Sequence, residues 1–126
     1  MTSVGGKQSS NSDFDTAAVT KSRFRSSCPV ARALDVLGDK WTLVVMRDAL
    51  FFGARTYSDF AGQKEGIPSN LLAQRLKKLT RLGLLEKIMY QPHPPRFEYV
   101  PTPKGKELKP LLREVRKFGE KYLGDP

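Results

Sequence analysis

The hydrophobic pattern is clearest between Pro68 and Gly83, where leucines recur at helical spacing. Leu72, Leu76 and Leu79 stand at i, i+4 and i+7, and at about 100° per residue they form one apolar stripe. The polar residues assigned to the opposite side are Asn70, Gln74, Lys77, Lys78 and Arg81. This segment is therefore predicted to be an amphipathic helix on a core, with amides near its N-terminus and positive charge further along.

The polar side of this helix has two interpretations. Amides hydrogen-bond to base edges and Lys and Arg neutralise phosphates, as in nucleic-acid recognition, but a solvated helix face has the same composition. On the first interpretation we expect Asn70 to read adenine, and Ser69 and Gln74 to contact bases or the backbone. Phosphate contacts are expected from Lys77, Lys78 and Arg81. Arg75, at the margin of the apolar stripe, either reaches a phosphate or pairs with an acidic neighbour.

Two helices are predicted near the start of the folded region. The first has Cys28 at its N-cap and Pro29 at its first position, where a missing N–H costs nothing. Asp39 is expected to cap the second, which runs from Trp41 to Phe52 and is apolar on nearly every side. We expect this second helix, Trp41 included, to be central and buried.

A short third helix is predicted to follow Thr56 and to end near Gln63. Thr56 and Asp59 match the spacing of a capping box, and Tyr57 and Phe60 are expected to point inward. A Gly-containing turn separates this helix from the leucine-rich one. Two helices joined in this way, the second with a polar face, are typical of a helix-turn-helix.

Beyond Gly83 the apolar period changes to alternation. Residues 85–90 and 97–100 are predicted to form two strands, and residues 91–96 to form a stiff loop without ladder pairing. Two strands around a loop, directly after such a helix, form a wing. Arg96 is then expected to contact the minor groove or a phosphate; the alternative is that the loop is an ordinary hairpin connection.

The last helix is predicted to begin at Thr102 and Pro103, and Pro110 should kink or split it near Leu108. Its apolar stripe is longer than so small a domain covers by itself, so a homodimer is predicted. The expected dimerisation residues are Val30, Leu34, Leu108, Leu111, Leu112, Val115, Phe118 and Tyr122. The fold class that follows is mainly α with a small β-hairpin, a winged helix-turn-helix with added N- and C-terminal dimerisation helices.

Composition supports a polyanionic partner. The 126 residues carry 22 Lys and Arg against 13 Asp and Glu, a net charge of +9. Such an excess is typical of nucleic-acid-binding proteins, and small ribosomal and membrane-surface proteins share it. Residues 1–26 are predicted to be a disordered basic arm before a single domain, 27–126. No apolar run approaches the ~20 residues of a membrane span, and no signal peptide is recognisable, so a cytoplasmic protein without a membrane partner is expected.

Catalytic and metal sites are not predicted. One Cys and one His cannot form a Cys/His metal cluster within a chain, and neither a Gly-rich phosphate loop nor a nucleophile elbow is present. No cofactor is expected. Cys28 has two interpretations: a small buried hydrophobe, or a thiol activated by the helix N-terminus, with Arg25 and Arg32 nearby, that senses oxidants or electrophiles.

Several motifs resemble those of the HxlR-type regulators. They are Cys28-Pro29-Val30, the stretch from Asp35 to Leu43, the stretch from Gly66 to Leu76, and Thr102-Pro103-Lys104-Gly105. The resemblance covers about residues 28–123. It implies a bacterial homodimeric transcription factor of the MarR-like winged-helix group, often a repressor. Some such regulators sense quinones, aldehydes or hypochlorite through a Cys just before the first helix.

The resulting hypothesis is a dimer on double-stranded DNA, with a small-molecule or electrophile effector as a further candidate partner. Two copies of the leucine-backed helix would enter successive major grooves of a pseudo-palindromic operator, about 34 Å apart. The alternative is a winged-helix module that binds protein or RNA without sequence-specific DNA recognition, because fold does not fix function.

Overall fold

The computed structural model describes residues 24–124, a mainly α fold with one antiparallel hairpin. Along these residues the elements are α1 (Pro29–Leu37), α2 (Thr42–Phe51), α3 (Tyr57–Ala61), α4 (Ser69–Arg81), β1 (Leu85–Pro92), β2 (Pro95–Pro101), α5 (Pro103–Lys106) and α6 (Lys109–Tyr122). The predicted arm, 1–26, lies outside the described residues except for its last three. No helix within residues 24–124 is long and apolar enough to cross a membrane.

The core forms where α2, α3 and α4 meet. Leu72, Leu76 and Leu79 of α4 are at most 1% exposed, as the leucine spacing predicts, and they pack with Met46 of α2 and Phe60 of α3. Each fully buried side chain of this size contributes about 1.5–3 kcal/mol relative to an exposed one. The apolar stripe therefore fixes which side of α4 faces inward.

The prediction that α2 is central and buried is confirmed for Thr42, Val45, Met46, Asp48 and Ala49, which are buried, but not for the C-terminal end of the helix or for Trp41. Phe51 and Phe52 are 41% and 59% exposed, and Trp41 is only partly buried. Leu43 and Leu50 are partly buried against the core, and the exposed side chains are those at the C-terminal end of the helix. The acidic residue of the helix, Asp48, is instead 2% exposed, and its carboxylate accepts a hydrogen bond of 2.7 Å from Arg47.

The capping box of α3 is present. The Thr56 hydroxyl accepts a hydrogen bond from the Asp59 N–H, and the Asp59 carboxylate accepts one from the Thr56 N–H. Phe60 points inward as expected, but the prediction for Tyr57 is wrong. The residue is 39% exposed, because the Tyr57 hydroxyl reaches across to the first residue of α4 rather than into the core.

The hairpin is longer than predicted. Pairing continues from Leu85 opposite Pro101 through Gln91 opposite Arg96, so residues 91–96 are not the unpaired loop that their prolines indicated. Each strand of a two-stranded sheet is an edge strand, and an edge strand tolerates a proline at positions where the missing N–H would face solvent rather than the partner strand. The Gln91 side chain also donates to the carbonyl oxygens of His93 and Pro94, each at 3.3 Å.

The C-terminal helix is split as Pro110 predicts, with α5 ending at Lys106 and α6 beginning at Lys109. Thr102 caps α5 through a hydrogen bond from the Gly105 N–H, 3.0 Å long. Gly105 packs so closely on the hairpin base that a Cβ there would lie 2.1 Å from the Leu84 carbonyl oxygen. This contact anchors the C-terminal segment to the core.

Candidate nucleic-acid interface

The outward face of α4 carries polar and basic side chains. Asn70, Gln74, Lys77 and Arg81 are all exposed and lie opposite the buried leucines, and Ser69 is exposed at the helix start. Among the described residues, no side chain caps the first turn of α4. Its free backbone N–H groups therefore add a positive helix end to this face, which favours a bound phosphate.

Two basic residues of α4 are used inside the chain. The Lys78 ammonium donates hydrogen bonds to the Val36 carbonyl oxygen, to Asp39 at 3.1 Å and to Thr42 at 3.2 Å. The prediction that Lys78 lies on the outer face is therefore wrong. Arg75 pairs with Asp39 at 3.0 Å, which decides between its two interpretations in favour of the acidic neighbour.

Helical spacing explains the two corrections. At about 100° per residue, positions 71, 75, 78 and 82 form a row directly beside the row of buried leucines, not opposite to it. Side chains in such a row reach neighbouring elements. The spacing within α4 does not identify the acidic partner, Asp39, because Asp39 lies 36 residues before Arg75 in the chain.

Asp39 is held ionised by this arrangement. Partial burial alone raises the pKa of Asp39, but hydrogen bonds from the Thr42 hydroxyl, the Trp41 N–H, Arg75 and Lys78 outweigh it and hold the pKa well below its ordinary value. The carboxylate also caps α2 as predicted, accepting from the N–H groups of Trp41 at 2.9 Å and Thr42 at 3.0 Å. The Asp39 carboxylate thus caps α2 and also pairs with two cations of α4.

Tyr57 is a further residue that sequence reasoning assigned to the wrong role. Its hydroxyl donates a 3.0 Å hydrogen bond to the Ser69 carbonyl oxygen and so ties α3 to the first residue of α4. The sequence did not indicate this hydrogen bond, because an aromatic residue in the first turn of a short helix is also typical of a core contact.

Arg96 lies in β2 one residue beyond Pro95, near the tip of the hairpin, and its side chain is exposed. Lys87, on the other strand, lies 4.3 Å from the Phe97 ring centroid. The hairpin therefore carries cations on a rigid two-stranded support.

Apolar side chains predicted for dimerisation are mostly exposed. Those on α1 and α6 that are between 41% and 66% exposed are Val30, Leu34, Leu111, Val115, Phe118 and Tyr122. Two predicted members differ. Leu112 is 9% exposed and belongs to the core, and Leu108 is partly buried against that core. Phe51, Phe52, Leu112 and Val115 line an open hollow of about 330 Å³ between α2 and α6.

Cys28 is exposed at the N-cap of α1, so it is not a buried hydrophobe. The pKa of its thiol is lowered, chiefly by the backbone N–H groups of Ala31 and Val30 at the start of α1. The nearby arginines have other partners: Arg25 bonds Asp35 at 2.5 Å, and the Arg32 guanidinium lies 4.9 Å from the Phe24 ring centroid. The N-terminus of α1 is therefore what lowers the pKa of the Cys28 thiol.

The chain is similar to known regulators over most of its described length. An uncharacterised HTH-type transcriptional regulator of Mycobacterium tuberculosis (strain CDC 1551 / Oshkosh) is 38% identical over 97 residues, which are 77% of this chain and 60% of the relative. The chain thus spans less than two thirds of that relative's length.

Solved structures show the same fold. The structure of PA1607, a candidate transcription factor, has a TM-score of 0.71 at 38% identity and is matched over 81% of this chain and 70% of its own. The redox regulator HypR in its oxidised form has a TM-score of 0.67 at 28% identity, over 79% of this chain and all of its own.

The sequence profile of one family accounts for most of the chain. It matches residues 36–125, from the end of α1 through the helix-turn-helix, the hairpin and α6. Its relatives are named as transcriptional regulators and not as enzymes. The exposed polar face of α4, the hairpin that follows it and this match lead to one conclusion: the chain belongs to the HxlR-like helix-turn-helix family.

Proposed function

We propose that this protein is a homodimeric transcriptional regulator that places α4 in the major groove of a pseudo-palindromic DNA operator. The observation that carries the proposal is the outer face of α4. Its amide and cationic side chains are exposed, and on the opposite side of the helix three leucines are at most 1% exposed. Such a helix presents base-reading and phosphate-binding groups on a rigid support. The alternative of an ordinary solvated face does not account for the helix-turn-helix family match.

Each exposed residue has a distinct proposed role. Asn70 reads adenine, and Ser69, at the helix N-terminus, and Gln74 each contact a base or the backbone. Lys77 and Arg81 neutralise phosphates, and Arg96 of the hairpin contacts the minor groove or a phosphate. Lys78 and Arg75 are assigned to Asp39 instead of to DNA, because their cationic groups already have that partner.

Dimerisation rests on the uncovered apolar side chains of α1 and α6. Val30, Phe118 and Tyr122 are 66%, 58% and 63% exposed, and the rings of Phe118 and Tyr122 lie against each other, 5.1 Å between centroids. Large exposed apolar patches mark interfaces. In a two-fold dimer the two copies of α4 would meet half-sites about 34 Å apart. Occupancy of the operator would block transcription, so the proposed action is repression, exerted on nucleoid DNA in the bacterial cytoplasm.

Cys28 is the proposed input site for an oxidant or electrophile. The thiol is exposed and its pKa is lowered, which raises the thiolate fraction that reacts. The relative HypR is a redox regulator. This chain has a single Cys, so a disulfide would join Cys28 either to the same residue of a second protomer or to a small thiol.

Selection of bound DNA tests the proposal. Genomic fragments are incubated with the protein, bound duplexes are sequenced, and affinities for a recovered duplex and a scrambled duplex of equal composition are measured at two salt concentrations. The proposal predicts a pseudo-palindromic site and a preference of at least about 10³ over the scrambled duplex. Equal affinity for both duplexes, or tighter binding to RNA of the same sequence, would favour a non-specific or RNA-binding module.

A further inference from the structure

The Asp39 carboxylate joins the turn between α1 and α2 to the helix proposed to read DNA. On the α2 side it accepts hydrogen bonds from the Trp41 N–H at 2.9 Å, from the Thr42 N–H at 3.0 Å and from the Thr42 hydroxyl. On the α4 side it accepts from Arg75 at 3.0 Å and Lys78 at 3.1 Å. A single carboxylate therefore bonds to two helices at once.

Lys78 extends the connection to the end of α1. Its ammonium also donates to the Val36 carbonyl oxygen and to the Thr42 hydroxyl, 3.2 Å away. Val36 lies in the last turn of α1, where carbonyl groups lack helical partners and attract a cation. The side of α4 next to the leucine stripe is thus fastened to both α1 and α2 by polar contacts.

Two attachment points constrain a helix more than one does. Arg75 and Lys78 are one turn apart on α4, so bonds from both to Asp39 restrain the rotation of α4 about its axis. Leucine packing alone is less directional, because apolar contacts tolerate small sliding and rotation. Base readout by Asn70 and Gln74 depends on the angle at which they project, since bidentate hydrogen bonds require defined geometry.

The same contacts set the charge of the outer face. Asp39 occupies the cationic groups of Arg75 and Lys78, which leaves Lys77 and Arg81 as the exposed cations of α4. Phosphate contacts are independent of sequence, so withholding two cations from DNA lowers the salt-dependent part of the affinity for every sequence and leaves discrimination to the base contacts.

We infer that Asp39 is a positioning residue for sequence readout: through Arg75 and Lys78 it orients α4 and keeps both cations away from DNA phosphates. The inference rests on the proposed function, since it assumes that the outer face of α4 contacts bases. Its consequence is that Asp39 determines sequence discrimination without touching DNA.

Asp39→Asn tests this role, and Asp59→Asn is the matched control. The amide oxygen introduced by Asp39→Asn retains an acceptor for the cap of α2, but the negative charge that binds Arg75 and Lys78 is lost. Asp59 is likewise a helix-capping carboxylate, on α3, and its described partners are Arg55 and Thr56 rather than α4. Folded dimers of all three proteins are titrated with a duplex recovered by the wild type and with a scrambled duplex.

For Asp39→Asn the ratio of the two affinities is expected to fall about tenfold. The released cations gain phosphate contacts, so the plot of log K against log salt for the scrambled duplex steepens by about one to two. Asp59→Asn is expected to change neither quantity. A loss of folding stability alone would not steepen the salt dependence, so this readout separates positioning from a merely structural role.

A folded Asp39→Asn protein with the wild-type affinity ratio and salt slope would overturn the inference. Where Asp39→Asn does not fold at the assay temperature, Arg75→Gln replaces it: a lower affinity ratio supports the inference and an unchanged ratio overturns it. Failure of the proposed function looks different, because the wild type itself would then show no preference between the duplexes.

Discussion

The Tyr57 hydroxyl donates a 3.0 Å hydrogen bond to the backbone carbonyl oxygen of Ser69 and thereby joins α3 to the first residue of α4. We predict that Tyr57→Phe lowers the free energy of unfolding by about 0.5–1.5 kcal/mol, the usual worth of one such bond. Urea denaturation at fixed protein concentration measures this. Tyr90→Phe is the control, because Tyr90 is 50% exposed on the hairpin and has no side-chain hydrogen bond among the described residues; an equal loss in both variants would contradict the role of Tyr57.

The stability contribution of Asp39 depends on pH. Its pKa in the folded state lies below the ordinary value, so the contribution is fully present above the unfolded pKa of about 3.9 and is lost as the pH falls below it. The stability advantage of the wild type over Asp39→Asn is therefore predicted to shrink as the pH is lowered from about 5 to about 3. Urea denaturation across this range measures the difference.

The stability contribution of Asp48 is predicted to depend on pH in the opposite direction. Burial raises the pKa of Asp48, and the hydrogen bond from Arg47 only partly offsets that rise. A carboxyl group with a raised pKa in the folded state contributes stability at pH values below its unfolded-state pKa. This contribution is lost as the pH rises through the folded-state pKa. Wild-type stability relative to Asp48→Asn is thus expected to decline with rising pH. Parallel pH trends for the two aspartates would contradict the assignment.

A charge in the exposed stripe of α6 tests the dimer. Phe118→Glu is predicted to give monomers at micromolar concentration, because Phe118 is 58% exposed in the single chain and a buried, unpaired carboxylate opposes association. Lys117→Glu places the same residue on another face of α6 and is expected to leave a dimer. Sedimentation equilibrium distinguishes the two, and a dimeric Phe118→Glu protein would remove this stripe from the interface.

Reactivity of the single thiol tests the chemistry at Cys28. Its lowered pKa predicts alkylation by iodoacetamide that reaches half its maximal rate below about pH 8.5, the ordinary thiol value. The same chain in denaturant is the control, since unfolding removes the N–H groups of Val30 and Ala31 from the thiol. Coincident pH profiles in the two states would show that the helix does not activate Cys28.

A sensor role requires more than a reactive thiol. Diamide is expected to change operator binding by the wild type and to leave Cys28→Ser unaffected, as measured by fluorescence anisotropy. If operator binding by the Cys28→Ser protein still responds fully to diamide, Cys28 is not the site of sensing.

Features that depend on local spacing were predictable from the sequence. The leucine stripe at Leu72, the capping box of Thr56 and Asp59, and the split at Pro110 all follow from contacts within four residues or from the missing proline N–H. The order of elements follows from these features, and the family resemblance of the sequence agrees with the profile match to residues 36–125.

Features that depend on distant partners were not predictable in this way. Lys78 is polar, but whether it faces solvent or Asp39 depends on where the α1–α2 turn lies, 39 residues earlier. Leu112 belongs to an apolar stripe that serves both the core and the exposed face, and spacing alone does not divide it. Pro92 is indistinguishable from a loop residue until the strand opposite it is known.

The central claim is that the outer face of α4 reads DNA, and affinities of Asn70→Ala and Lys77→Ala for a recovered duplex and a scrambled duplex test it most directly. Asn70→Ala should lose about 1–3 kcal/mol on the recovered duplex and little on the scrambled one. Lys77→Ala should weaken binding to both and reduce the salt slope by about one. Equal losses on both duplexes for both variants, or no loss for either, would contradict the account.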